Sequence, residues 1–257
     1  LSVYDNLIDT IHNHIHLLHR YVSLRKKILN VDELHYYDLY APLAKDLQQK
    51  YTYKQAQELV LEAVKPLGEN YGNIVRSAFE NHWIDVYPNL GKRGGAFSSG
   101  TYDSYPYILT NFTGTLDSVS TIAHEMGHSL HTWHTNHAQP AQYASYTMFV
   151  AEVASTVNEN LLIEQLLSKE KDPLNRLALL NQYMEGFKGT VYRQTKFAEF
   201  EKEAHAMCER GEALNGEALN RLYENLVKFY YGDNLAWDEK VKYEWSRIPH
   251  FYSAFYV

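Results

Sequence analysis

His124 and His128 stand four residues apart in the segment Thr121-Ile-Ala-His-Glu-Met-Gly-His-Ser-Leu130, and Glu125 lies between them. On an α-helix, residues four apart share a face. Two imidazole nitrogens at that spacing can meet one Zn²⁺ at about 2.0–2.1 Å. A carboxylate beside the pair can hold and deprotonate a water at the ion. Ile122, Ala123, Met126 and Leu130 make the segment apolar enough for a buried helix. The chemistry implied is metal-assisted hydrolysis. Such a zinc needs one more protein ligand and an open position.

His134 is one candidate, because His124, His128 and His134 reproduce the histidine spacing of another zinc-hydrolase pattern. That pattern breaks the helix with Gly three residues after the second His, where this chain has His131. If the helix continues, His134 lies about 15 Å along the axis from His124 and on a different face. A returning helix is the better source. Thr115 or Asp117 caps the metal-bearing helix, which should run to about Asn136, with Pro140 in the turn and a second helix over about 145–167. An antiparallel pair with its tip near residue 140 sets His128 opposite Glu152. The segment Phe149-Val-Ala-Glu-Val-Ala154 is apolar apart from Glu152. A lone carboxylate in such a setting is costly unless it is paired or bound to metal. Glu159, two turns on and on the same face, suits an acceptor for the free ring N–H of His124. His131 repeats the ligand face one turn on and reads as a packing or substrate-contact residue.

The elements that must hold these groups are mostly helical. Val3, Leu7, Ile11, Ile15, Leu18 and Val22 give residues 2–28 a helical period. His12, His14, His16 and His19 within it read as surface and packing residues, since no carboxylate stands between them. Thr52 and Gln55 form a capping box for a helix closed by Pro66 and Gly68. Two β-type runs, near 94–98 and 107–112, flank a Gly-rich stretch and predict a small antiparallel sheet within 91–112. Its edge would offer free N–H and C=O groups to an extended peptide. Helices over about 173–209 and 216–231 complete a mainly α fold, with 115–168 as the metal-binding helix pair and 1–257 as a single catalytic region.

With 45% hydrophobic and 21% charged residues, the composition of the 257-residue chain fits a folded soluble protein and argues against a disordered one. A net charge of −7 argues against a nucleic-acid partner, because an acidic surface repels phosphate. No run of about 18 apolar residues suits a membrane span, and no signal-peptide pattern opens the chain. One cysteine, Cys208, excludes an internal disulfide and fits a reducing compartment, so the expected location is the cytoplasm. The chain starts at Leu1 without Met, which fits a part of something longer.

The chain closely resembles the oligoendopeptidase F branch of the thimet-oligopeptidase-like (M3-type) zinc peptidases. The likeness runs through Tyr37-Asp-Leu-Tyr-Ala-Pro42, Pro66-Leu-Gly68, Trp83-Ile-Asp-Val-Tyr87, Gly91-Lys-Arg-Gly-Gly-Ala-Phe-Ser98 and Pro106-Tyr-Ile-Leu109. It continues through His124-Glu-Met-Gly-His-Ser-Leu-His131, Phe149-Val-Ala-Glu-Val-Ala-Ser-Thr156 and Ile248-Pro-His-Phe-Tyr-Ser-Ala-Phe-Tyr-Val257. The resemblance implies a mostly helical zinc endopeptidase that admits short unfolded peptides through a channel. It implies His124, His128 and Glu152 as ligands of one Zn²⁺, Glu125 as general base, and His250, Tyr252 and Tyr256 as stabilisers of the transition state. Members of the branch carry a further N-terminal helical region, a partner this chain would need, and continue beyond the position of Val257. A contrasting expectation is therefore an inactive zinc-binding fragment that captures peptides without cutting them.

Overall fold

The computed structural model describes residues 2–43 and 50–253. Helix α1 spans Ser2–Leu29 and buries Ile8, Ile11, Leu18, Val22 and the stem of Arg25 along one stripe. Its histidines serve the helix surface: His12 meets Glu199 at 2.9 Å, His14 bonds the Thr10 carbonyl at 2.8 Å, and His19 bonds the Phe229 carbonyl at 2.9 Å. Helix α2 (Tyr53–Ala63) starts with the expected capping box, the Gln55 N–H donating to Thr52 Oγ1 at 3.2 Å and the Thr52 N–H to Gln55 Oε1 at 2.8 Å. Pro66 cannot extend an α-helix, and Gly68 at φ 93° turns the chain into α3 (Glu69–Glu80).

Three short strands follow: β1 (Ile84–Asp85), β2 (Phe97–Ser99) and β3 (Tyr107–Leu109), in the order β1-β3-β2. The pairing of β2 with β3 is antiparallel, with Ser98 opposite Ile108, as the two β-type runs predict. The sheet nevertheless differs from the expected hairpin. It is mixed, because β1 adds a parallel strand from upstream of residue 91. Two residues are too few to display an alternating pattern, so β1 left no period-2 signal. The Ile108 N–H donates to the Trp83 carbonyl at 2.8 Å and the Thr110 N–H to the Asp85 carbonyl at 2.9 Å. Alternation along β3 then directs Tyr107 and Leu109 to β2, and the peptide groups of Ser98 point away from β3.

Helix α4 (Leu116–Ala138) is capped by Thr115, whose hydroxyl accepts the Ser118 N–H at 3.2 Å. Helix α5 (Met148–Lys169) returns antiparallel to it. Helix α6 (Pro173–Phe187), a π-helical turn at Lys188–Tyr192 and α7 (Arg193–Glu209) follow, then α8 (Gly216–Tyr231), which Asn215 caps through its side chain.

The contacts divide into two units, residues 47–179 and residues 1–46 with 180–256; the chain passes from one to the other within α6. The first unit holds the sheet, α4 and α5 around a core of Val60, Val75, Trp83, Val119, Ile122, Met126 and Leu162. The second packs Leu18, Val22, Leu34, Leu39, Tyr223 and Val227 together. Within that second unit Glu244 is buried among cations and hydroxyls. It accepts from Arg193 at 2.8 Å, Arg247 at 2.7 Å, and the Tyr36 and Tyr223 hydroxyls at 2.7 Å each.

Candidate metal centre

Helix α4 presents two working faces. His124 and His128 turn toward α5, whereas Glu125 and Ser129, also four apart, turn toward β2. The Nε2 atoms of His124 and His128 are 3.2 Å apart. Oε2 of Glu152 lies 3.4 Å from Nε2 of His124 and 3.5 Å from Nε2 of His128. Donors at 2.0–2.1 Å from a tetrahedral ion are separated by about 3.3–3.4 Å. The three atoms therefore have the mutual spacing of zinc ligands. Among the described residues, this is the one group of three or more potential ligands placed this way.

The outer contacts set which nitrogen is available. Nδ1 of His124 is 3.1 Å from Oε1 of Glu159, so its N–H donates there and the Nε2 lone pair faces the other donors. Burial alone would lower the His124 pKa, but the hydrogen bond and charge of Glu159, with Glu125 and Glu152, raise it on balance. For His128, burial and the neighbouring His124 outweigh Glu152 and the Ala151 carbonyl and lower it.

Glu125 is 6% exposed, and its Oε2 is buried without a hydrogen-bond partner among the described residues. Burial raises its pKa, and the charges of Glu152 and Glu159 add to this; His124 and the Ser98 N–H act in the opposite sense. A raised carboxylate with one unengaged oxygen is equipped to accept and return a proton. The strand is bolted to the same helix. The Ser98 and Ser129 hydroxyls are 2.8 Å apart, and Ser129 donates to the Pro106 carbonyl at 3.1 Å.

Close helix approach makes the donor set possible. A Cβ on Gly127 would lie 2.6 Å from both the Ala154 carbonyl oxygen and the Ser155 Cα, so only glycine fits between the two histidines. Asn158 is buried and pins α5 to α4, its side chain donating to the Ala123 carbonyl at 3.1 Å while Tyr71 donates to its Oδ1 at 3.0 Å.

One premise of the sequence reading fails. The Glu152 side chain is 65% exposed, and Val150 and Val153 are exposed beside it, so the apolar run does not mark a buried strip. Helix α5 carries apolar residues on both faces and buries only one; the register, not burial, brings Glu152 to the histidines. Helix α4 runs on without a break at His131, which stacks on Tyr146 with ring centroids 3.7 Å apart. His134 stacks instead against Tyr71, away from the ligand face. Of the remaining residues named from the sequence, His250 and Tyr252 belong to the other unit, in the 3₁₀ turn Pro249–Tyr252, where the Tyr252 hydroxyl donates to the Ser246 carbonyl at 2.9 Å. Tyr256 lies outside the described residues. Gly127, Ser129, Ser155 and Asn158 were not singled out by sequence reasoning, although Ser129 repeats the Glu125 position one turn on.

The model of peptidase family M3 matches residues 1–257. The chain belongs to peptidase family M3. Among its relatives, Oligopeptidase PepF of Bacillus subtilis is 51% identical over 256 residues, covering 100% of this chain and 38% of that protein. The chromosomal Oligoendopeptidase F of Lactococcus lactis subsp. cremoris is 47% identical over 256 residues, covering 100% of this chain and 42% of its own length. The crystal structure of oligoendopeptidase-F from Enterococcus faecium superposes with a TM-score of 0.70 at 41% identity, covering 99% of this chain and 38% of that one. The M3 chain described here thus spans about two fifths of the length of these relatives. No helix among its described residues is long and apolar enough to cross a membrane.

Proposed function

We propose that this M3 chain is the metal-binding catalytic region of a zinc oligoendopeptidase that cleaves short unfolded peptides. The observation that carries the reading is the coincidence of three donors at zinc-ligand spacing with the buried, unengaged Oε2 of Glu125 beside them. The donor set of two imidazoles and one carboxylate fits Zn²⁺ with a position left open. His124, His128 and Glu152 hold the ion, and Glu159 fixes the tautomer of His124. When bound, zinc supplies Lewis acidity that makes water a stronger acid and a carbonyl a better electrophile.

The protein's own groups do the rest. Glu125 takes a proton from the attacking water at Oε2 and delivers it to the leaving amine nitrogen. Its raised pKa suits both halves of that transfer. The Ser98 carbonyl, on the side of β2 away from β3, accepts from an extended substrate backbone, which positions the substrate with little demand on its side chains. The rest of the longer enzyme is the natural partner of this region, and the single cysteine fits work in a reducing cytoplasm.

A second reading is a fragment that binds zinc and peptide without hydrolysis; the two-fifths coverage of the relatives favours it. One experiment separates the two: the zinc-loaded chain is incubated with a quenched peptide of about ten residues. Release of fragments, lost on Glu125→Gln while zinc stays bound, supports the peptidase. Intact peptide after prolonged incubation sinks it, and turnover by the Glu125→Gln variant removes Glu125 as the base.

A further inference from the structure

We propose that Ser155 is a positioning residue for the metal centre, holding the Glu152 carboxylate in the orientation that completes the donor set; this rests on the metal-binding part of the reading above. Ser155 is 0% exposed, whereas the Glu152 side chain is 65% exposed. An exposed glutamate samples many rotamers, and losing that freedom opposes metal binding. Ser155 removes the freedom beforehand. Its Oγ lies 2.7 Å from Oε2 of Glu152, the same oxygen that faces both histidine nitrogens. Among the described residues, the Ser155 hydroxyl is the one hydrogen-bond donor to the carboxylate.

A competing use of the hydroxyl is local. Serine in a helix commonly bonds a carbonyl three or four residues back, and Ser155 Oγ lies 3.1 Å from the Glu152 carbonyl oxygen. The hydroxyl has one proton, and the carboxylate is both nearer and charged, so the proton goes there. The backbone of Ser155 is also fixed, since its Cα sits against Gly127 of α4. The anchor is therefore as rigid as the helix pair itself.

The test measures zinc affinity of the chain by competition with a chromophoric chelator, independent of any peptide cleavage. Four proteins are compared: parent, Ser155→Ala, Glu152→Ala and the double variant. Ser155→Ala should weaken zinc binding about 10–100-fold in the parent background and add nothing once Glu152 is gone. Unchanged affinity in Ser155→Ala overturns the proposal, and so does an equal loss in both backgrounds, which would mark a general loosening of α4 against α5. Should Ser155→Ala fail to fold, Ser155→Cys keeps the volume with a weak donor and must show the same background-dependent loss. Parent and Glu152→Ala proteins of equal affinity would instead refute the metal-centre reading itself.

Discussion

Replacing Gly127 with alanine is the sharpest perturbation of the helix pair, because its effect follows from distances alone. The added Cβ would stand 2.6 Å from the Ala154 carbonyl oxygen, 2.6 Å from the Ser155 Cα and 2.8 Å from the Ala154 carbonyl carbon. Nonbonded carbon needs about 3.5–4.0 Å from other carbon atoms, and every clashing atom is backbone. No side chain can swing away, so α5 must move off α4 by about 1 Å. Overpacking of this kind costs about 1–3 kcal/mol. The consequence for the metal is larger, since ligand distances must hold to about ±0.2 Å, and two donors ride on α4 while Glu152 rides on α5. Gly127→Ala should therefore bind zinc at least about 100-fold more weakly, as a site reduced to two imidazoles, and should melt earlier. Gly72→Ala on α3 is the control. No heavy atom lies within 4 Å of its added Cβ, so relief of the glycine penalty in a helix should stabilise it by about 0.5–1 kcal/mol. Chelator competition and thermal melts with and without zinc read both. A Gly127→Ala protein that binds zinc within twofold of the parent, with an unchanged melt, would refute the argument from helix spacing.

Other outcomes follow from the same geometry. Ser129→Ala releases both Ser98 and the Pro106 carbonyl; kcat should fall about tenfold through Glu125 while zinc content stays whole, and steady-state kinetics with metal analysis would show whether the two separate. Glu159→Gln keeps an acceptor for His124 but removes its charge, and zinc affinity should fall about tenfold, read by the same competition assay. In the other unit, burial would raise the Glu244 pKa, but Lys196, the Tyr223 and Tyr36 hydroxyls and Arg193 hold it down at about 2. A carboxylate lowered in the fold contributes stability that is complete above its unfolded value near 4.5 and is lost as pH falls toward 2. That contribution is about 3 kcal/mol, so melting of the parent should drop steeply between pH 4.5 and 2 while Glu244→Gln, weaker at neutral pH, shows a flatter profile; parallel curves would show that Glu244 is not the group responsible.

The sequence was most informative where a pattern forces a geometry. The four-residue spacing of His124 and His128 needs only a helix to become a shared face, and Thr115 and the apolar run supply that helix. The antiparallel register read from Pro140 reached Glu152 correctly, since two helices joined by a short connection have little freedom in how they pair. The argument from burial was unreliable for the same residue, because an apolar run on a helix does not say which of its faces is covered. Strand β1 was invisible for a different reason: two residues carry no period, and Ile84–Asp85 pairs only because β3 arrives from more than twenty positions later. Ser155 and Asn158 left no signal either. Each is an ordinary polar residue whose role exists only once α4 lies within reach.

One helix face alone would not give a hydrolytic centre. His124 and His128 aim at α5, so a base on that same face would compete for the ion as a further ligand. Moving one residue along the helix rotates the side chain by about 100°, enough to bring Glu125 beside the donor set yet under β2. There the Ser98 N–H steadies it, while Ser129, one turn on, ties that strand to the helix. On the proposed reading the motif encodes two directions at once: a pair four apart would set the ligands, and the offset of one would set the base against the sheet edge. A substrate backbone lying along β2 would then run past Glu125 because the residue that holds the strand is attached to the helix that carries the base.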